Sequence, residues 1–505
     1  MAVRTFAAID VGSYELSMKI FEASPKNGMR EVDHIRYRLD LGTDTYATGK
    51  IGYEKMEELC RVLREFSEIM KAYKVEDYKA YATSAIRETS NSRIVLDQIR
   101  LKTGIEIAIL SNSEQRFLDY KSVASKREEF KHILENGTAI VDIGGGSIQL
   151  SLFVKDTLAA TQNLRLGVLR LQERMNHLDV KPAQYEELVD EFISAQLAVF
   201  KKLYLKDREI QNIIIVDDYL SPLVKKHRIG VTKEGYVTVD AYEKFTEMLH
   251  KKASFDVAKD LDIPEENIPL LYISSVLVRR IIHLMDAKLL WLPGVTLCDG
   301  IAYEYAEKNK IMVIDHDFEQ DIVACAQNIS KRYMGSRKRS ETLEKITLTI
   351  FDSMKKVHGL GKRERLLLRI AAILHDCGKF ISMMNLAECS YNIIMSTEII
   401  GLSHMEREIV ANVVKYNHAD FDYSESIDYL TIAKLTAILR VANGLDRSHK
   451  QKFQDVKTVL KDGNLIITVD TNEDITLEKG MFKEKAAFFE EVFSVCPVIK
   501  QKKTF

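Results

Sequence analysis

Over residues 5–310, short apolar runs alternate with longer stretches in which apolar side chains recur every three or four positions. The runs have the length of strands and the stretches the period of helices. Phe6–Val11 and Leu16–Glu22 predict two strands joined through Gly12-Ser13. Met56, Leu59, Val62, Leu63, Phe66 and Met70 predict a helix over 53–74. Tyr78–Ala82 reads as a strand, 92–103 as a helix and Glu106–Leu110 as a strand, with a further helix to about Lys126. The pattern then restarts. Thr138–Asp142, Gln149–Lys155 and Ala159–Leu166 predict strands, 184–204 a long helix, Ile213–Val216 a buried strand, 239–249 and 269–286 helices, and Lys288–Leu292 a short strand. A strand, a turn and a second strand thus open each of two consecutive segments, a weak repeat of about 130 residues. From Asp315 the periodicity is helical, over 319–332, 340–358, 363–379, 389–400, 404–418 and 428–447. A tail follows with strands at Val456–Leu460 and Leu465–Val469 around Asp462-Gly463-Asn464, then a helix over 479–493.

Two glycine turns punctuate this pattern. Asp10-Val11-Gly12-Ser13 ends the first strand, and Asp142-Ile143-Gly144-Gly145-Gly146-Ser147 ends the strand that opens the second segment. Glycine permits positive φ and lets backbone N–H groups approach an anion without a Cβ in the way. Successive N–H donors in a turn form an anion-binding nest. Ser13 and Ser147 add hydroxyls. Asp10 and Asp142, at strand ends, are placed to orient water or to hold Mg²⁺, a hard cation that takes oxygen ligands. One such loop alone is equally a hairpin turn capped by Asp and Ser. The matched pair predicts a phosphate clamp of Gly12, Ser13, Gly144, Gly145, Gly146 and Ser147. Thr83-Ser84-Ala85-Ile86-Arg87 follows a predicted strand, and Arg87 offers a guanidinium for phosphate oxygens. Glu114, at a strand–helix junction, offers a carboxylate that can activate water. In isolation it reads first as an acidic residue favoured at a helix start.

A chain of 505 residues holds roughly three or four domains. Its 72 basic and 74 acidic residues leave a formal charge of -2, which gives no electrostatic case for nucleic acid or a membrane surface. A polyanionic ligand therefore needs a local basic patch. Six cysteines without CxxC spacing fit a reducing compartment. The opening residues carry no basic stretch followed by a long apolar one, and no segment approaches the ~20 apolar residues of a membrane span. A cytoplasmic protein is expected.

Further motifs align with these loops in order. Ala82–Arg87 with Asn91, Ile109-Leu110-Ser111 with Glu114, and Leu166-Gly167-Val168-Leu169-Arg170-Leu171 join the two glycine turns in a set that resembles the Ppx/GppA exopolyphosphatase family over about residues 1–300. The resemblance implies an α/β then α chain: duplicated ribonuclease-H-like (actin-like ATPase) halves over 1–130 and 131–310. It implies a cleft between the halves that binds inorganic polyphosphate or the guanosine polyphosphate pppGpp with Mg²⁺. Water attack releases the terminal phosphate there, with a glutamate as base. It also implies a homodimer. On this reading Asp10 and Asp142 hold metal, Gly12, Ser13, Arg87, Gly144, Gly145, Gly146 and Ser147 bind phosphate, Asn91 supports the Arg87 loop, and Glu114 is the catalytic candidate.

The chain departs from the family pattern in three places. The family's base position aligns with Gln115, whose amide cannot accept a proton, so either the adjacent Glu114 substitutes through a local register shift or the step is slow or absent. A family glycine loop becomes Asp217-Asp218-Tyr219-Leu220-Ser221, with carboxylates that should repel phosphate. Leu297-Cys298-Asp299-Gly300 lacks a family arginine. Beyond residue 310, Leu374-His375-Asp376-Cys377-Gly378-Lys379 resembles the HD signature, which implies an HD-like helical domain over 311–453, followed by a small α+β tail over 454–505. A full HD metal site needs an upstream histidine and a distant aspartate. No histidine lies between His316 and His358, Asn443 stands at the distant position, and Cys389 stands where related chains place a histidine. His375 and Asp376 therefore read as a helix-packing pair. The leading functional reading is a phosphoanhydride hydrolase. The alternative is a catalytically weakened phosphate or nucleotide sensor on the same fold. An actin-like kinase, the third reading, lacks a clear adenosine loop.

Overall fold

The computed structural model describes residues 4–25, 28–178, 184–217, 219–227, 229–233, 235–312, 316–424, 428–452 and 456–502. The chain divides into two compact units, Met1–Asp317 and Phe318–Phe505.

The first unit contains two sheets. One is built from β1 (Arg4–Val11), β2 (Glu15–Ser24), β3 (Gly28–Arg38), β4 (Asp77–Ala82) and β5 (Ala108–Ile109), in the order β3-β2-β1-β4-β5. The other is built from β6 (Thr138–Ile143), β7 (Ile148–Val154), β8 (Thr157–Leu164), β9 (Asn212–Asp217), β10 (Tyr236–Thr238) and β11 (Leu289–Trp291), in the order β10-β11-β9-β6-β7-β8. In each, the first strand is antiparallel to the second and parallel to the fourth. The order β8-β7-β6-β9-β11 thus repeats β3-β2-β1-β4-β5, and β10 is an added edge strand. The weak sequence repeat is a structural duplication, the expected ribonuclease-H-like pair.

Period-two burial sets which side chains reach the site. On β1, Ala7, Ile9 and Val11 pack with helix Tyr53–Ala72 through Leu59, Leu63 and Phe66. Phe6 and Ala8 face the other way, against Leu118, Leu297, Ile301 and Tyr305 from helices Asn112–Ala124 and Leu297–Lys308. Asp10 shares the parity of Phe6 and Ala8, which aims it at the starts of those helices. Gly300 permits their contact: a Cβ there would lie 2.0 Å from the Leu118 carbonyl oxygen.

Several expectations need adjusting. β3 went unpredicted because none of its residues is fully buried, so this edge strand shows no hydrophobic alternation. The strand predicted at Glu106–Leu110 shortens to Ala108–Ile109. The expectation that no segment is apolar enough for a membrane span is corrected. Glu265–Met285 passes by length and composition, with a mean hydropathy of 1.5, yet it is 72% buried. Its Leu271, Val278 and Ile282 belong to the core of the second half.

The second unit carries helices Phe318–Arg332, Arg337–Ser353, Lys362–Leu374, Leu386–Ser396, His404–Tyr416 and Tyr429–Leu445. A three-stranded sheet of β12 (Val456–Lys461), β13 (Asn464–Asp470) and β14 (Cys496–Lys502) follows, with helix Thr476–Phe493 between the last two. Asp462 and Gly463 form the β12–β13 turn with φ of 50° and 75°, the positive pair that Asp-Gly hairpin turns adopt. β14 escaped sequence reading because Pro497 is its one buried residue, while Val498, Lys500 and Lys502 are exposed.

Candidate functional site

The two glycine turns are built alike. Gly12 N–H donates to the Glu15 carbonyl and Gly144 N–H to the Ser147 carbonyl, each at 3.0 Å, in the three-residue loop that joins β1 to β2 and the four-residue loop that joins β6 to β7. The positive φ expected of these glycines is not found. Gly12, Gly144, Gly145 and Gly146 are absent from the positive-φ residues. What they permit is close approach. A Cβ on Gly145 would lie 2.9 Å from both the Ser13 Cβ and Leu169, and one on Gly146 would lie 2.2 Å from the Tyr46 hydroxyl and 2.8 Å from that of Ser84. The second loop packs directly on the first.

Beside the loops lies a cavity of about 50 Å³ lined by Asp10, Gly12, Ser13, Asp142, Gly144, Gly145 and Ser147 among the predicted residues. Gly146, Arg87 and Glu114 are not in its wall. Four carboxylates line it: Asp10, Asp119, Asp142 and Asp217. Burial pushes the Asp142 carboxyl up to about 7; a hydrogen bond with Asp119 and the charge of Arg116 pull against this, and Asp217 adds to it. Arg87 reaches the site through an intermediary. Its Nη1 donates to the Leu110 carbonyl at 2.8 Å and to Gln115 Oε1 at 3.3 Å, and Gln115 Nε2 points to Asp142 Oδ2 at 3.5 Å. The neutral Gln115 amide thus bridges a cation and a carboxylate.

Glu114 points elsewhere. Its carboxylate accepts the Ser111 N–H at 2.9 Å while Ser111 Oγ accepts the Glu114 N–H at 3.3 Å, a capping box on helix Asn112–Ala124. Asp217 also takes a capping position. It accepts N–H bonds from Tyr219, Leu220 and Ser221 at 3.3, 2.5 and 2.9 Å, so its charge sits at the start of helix Leu220–Lys226. Its expected neighbour Asp218 lies outside the described residues. Cys298 is buried, with Sγ 3.4 Å from the Ala8 carbonyl oxygen. Burial raises its thiol, as do the charges of Asp10 and Asp299. Asp299 completes the capping box with Thr296 and pairs at 2.9 Å with the buried Lys19.

Sequence reading missed Asp119 and Tyr46. Asp119 had a signal, since it stands four residues after Gln115 and therefore on the same helix face. Tyr46 had none, because helix Leu41–Thr48 is short and only weakly patterned. The carboxylate donors suit a hard cation. Among the described residues no group of three or more His, Cys, Asp or Glu converges on a metal-sized point. Magnesium held by one or two carboxylates, with water and substrate oxygens completing its shell, is compatible with that arrangement.

The model of the Ppx/GppA phosphatase family matches residues 20–308, and that of Ppx/GppA phosphatase domain III matches 323–485. The chain belongs to the Ppx/GppA phosphatase family. It is 26% identical to exopolyphosphatase 1 of Mycobacterium tuberculosis over 190 residues, 38% of this chain and 54% of the relative. The chain thus spans about half the length of that curated relative. It is 19% identical over 446 residues to the guanosine-5'-triphosphate,3'-diphosphate pyrophosphatase of Aeromonas hydrophila, 86% of each chain. Among solved structures, the Ppx/GppA family member of Aquifex aeolicus aligns with a TM-score of 0.51 at 18% identity, covering 63% of this chain and all of that one. An exopolyphosphatase of Cytophaga hutchinsonii aligns with a TM-score of 0.52 at 16% identity, covering 61% of this chain and all of that one. These two likenesses show the shared fold.

In the helical part of this family member, a cation of the chain's own occupies the surroundings of His375 and Asp376. The buried Arg339 lies 3.2 Å from Asp376 Oδ2, donates to Asn443 Oδ1 at 3.0 Å and lies 3.4 Å from Asp446 Oδ2. His375 Nδ1 donates to the Ala372 carbonyl at 2.8 Å. Burial pushes His375 down to about 3, so the imidazole is neutral. His418 is half of a further bond, its Nε2 2.7 Å from the His375 carbonyl oxygen.

Proposed function

We propose that the protein hydrolyses the terminal phosphoanhydride bond of inorganic polyphosphate, or of guanosine-5'-triphosphate,3'-diphosphate, at the cavity beside the two glycine loops. The carrying observation is that Asp10, Asp142, Ser13 and Ser147, from equivalent turns of two duplicated halves, line one cavity with Gln115 at its edge. Asp10 and Asp142 would hold Mg²⁺, which supplies the positive charge that a phosphate chain needs when it enters an acidic cavity. Ser13 and Ser147 hold phosphate oxygens. Phosphoryl transfer depends chiefly on positioning and charge neutralisation. The Gln115 amide, steadied by Arg87 and aimed at Asp142, serves by orienting water rather than by taking its proton. The substrates named for the relatives support the two candidates.

A second reading, a sensor that binds phosphate chains without cutting them, is favoured by one observation. The glutamate offered as base is engaged in a helix cap. Phosphate release from polyphosphate with Mg²⁺, measured beside tripolyphosphate binding, separates the two. The hydrolase reading expects release, reduced at least about 100-fold by Asp142→Asn. Tight binding with no release above background leaves only the sensor.

A further inference from the structure

We propose that Tyr46 is a substrate-selecting plug of the phosphate cleft. Its hydroxyl stands where an oxygen of the phosphate chain binds, and the Glu88–Arg170 ion pair latches it there. The inference rests on the phosphate reading above and adds to it a residue that competes with substrate.

The hydroxyls of Ser13, Ser84 and Tyr46 form a closed triangle, with Ser13–Ser84 at 2.7 Å, Ser13–Tyr46 at 2.9 Å and Tyr46–Ser84 at 3.1 Å. Each hydroxyl has one proton to donate, so a ring of three satisfies itself. It turns a free donor to a ligand only when one member leaves. Ser13 is the member least able to leave, because its Oγ also accepts the Ala85 N–H at 3.1 Å and its carbonyl accepts the Gly42 N–H at 2.8 Å. Tyr46 carries its hydroxyl at the end of a long side chain. Burial pushes that phenol up, so it is neutral and adds no charge that would repel an anion. Gly146 packs so close to this hydroxyl that even a methyl group would collide with it. With Tyr46 in place, its hydroxyl fills the space beside Gly146.

The latch spans the two halves. Arg170 lies 4.3 Å over the Tyr46 ring, donates through Nε to the Gly146 carbonyl at 2.9 Å and pairs with Glu88 at 2.7 Å. Arg165 shares the same Glu88 oxygen at 2.7 Å. Two cations therefore rest on one carboxylate. A phosphate chain carries more negative charge than Glu88 and can draw both arginines away, which uncovers Tyr46. An orthophosphate carries less charge than a chain and competes less strongly for the two arginines. The plug thus favours chains over free phosphate, which is also the product of hydrolysis.

The test uses the full-length protein, with Tyr46→Ala and Glu88→Gln. Amide hydrogen exchange at Gly144–Ser147 is measured without ligand, and calorimetry follows binding of tripolyphosphate and of orthophosphate. Releasing a competing closed state raises apparent affinity by the closed fraction it removes. Both variants should therefore exchange faster at the second loop. Both should bind orthophosphate about tenfold more tightly, with a smaller gain for tripolyphosphate, so that discrimination falls. Unchanged exchange in both variants, or weaker orthophosphate binding by natively folded Tyr46→Ala and Glu88→Gln, overturns the plug. Failure of every form, wild type included, to bind either phosphate overturns the phosphate reading instead, and the exchange data then judge the latch alone.

Discussion

Asp142 is where the chemistry of the cavity concentrates. Its carboxyl, pushed up to about 7 by burial first and by the nearby Asp217 as well, is partly protonated at neutral pH. A cation bound there must displace that proton. Mg²⁺ affinity should therefore rise by up to about tenfold per unit as pH climbs toward 7 and level off above it. Asp142→Asn should abolish that slope. Titration of Mg²⁺ by calorimetry from pH 5.5 to 8.5 reads this without turnover, and a flat profile in the wild type would contradict it. The stability effect has the opposite sign. A raised carboxyl pKa favours the folded state at low pH, and that contribution is lost as pH rises from the unfolded value toward 7.

Glu114 makes the complementary case at the same scale. Its carboxylate caps a helix, and glutamine fills a capping box as well as glutamate does. Glu114→Gln should keep phosphate release within about twofold, whereas Glu114→Ala should lose about 1 kcal/mol of stability. A collapse of turnover in Glu114→Gln with unchanged melting temperature would restore the glutamate as the base.

At the scale of elements, the glycine loops and the helical unit each replace an expectation with a packing reason. In the loops the glycines serve contact between two hairpin turns rather than unusual backbone angles. In the helical unit, Arg339 from helix Arg337–Ser353 ties Asp376, just past Lys362–Leu374, to Asn443 and Asp446 at the end of Tyr429–Leu445. All three ionic partners are buried. Removing the guanidinium leaves two carboxylates without it in the interior, and breaking such a pair costs about 3–5 kcal/mol. Arg339→Ala should show that loss in the urea transition followed by helical circular dichroism. A shift below about 0.5 kcal/mol would mean that the carboxylates find other partners.

At the scale of the molecule, the cavity, its glycine loops, Tyr46 and the Glu88–Arg170 pair all belong to Met1–Asp317. Each unit also has its own buried core. A fragment ending at Asp317 should therefore fold with a cooperative melt and bind tripolyphosphate within about threefold of the full chain. A fragment that folds but has lost binding would show that Phe318–Phe505 contributes to the site.

Much of this was legible in the sequence. Hydrophobic period predicted most of the long elements, though not β3 or helices Val168–His177 and Leu297–Lys308, because strands and helices with one buried face repeat at two or at 3.6 residues. The paired Asp–Gly turns announced the duplication, since the same local chemistry recurs wherever the same hairpin is built. What escaped were edge strands such as β3, whose exposed faces leave no pattern, and every feature that depends on distance through space. Sequence order left Glu114 and Gln115 as neighbours, but a helix turns adjacent residues about 100° apart, and only one of them can face the cavity. Tyr46, Asp119 and Arg339 acquire their roles from elements remote in the chain. The residues were there to be read, but which of them meet is decided by packing.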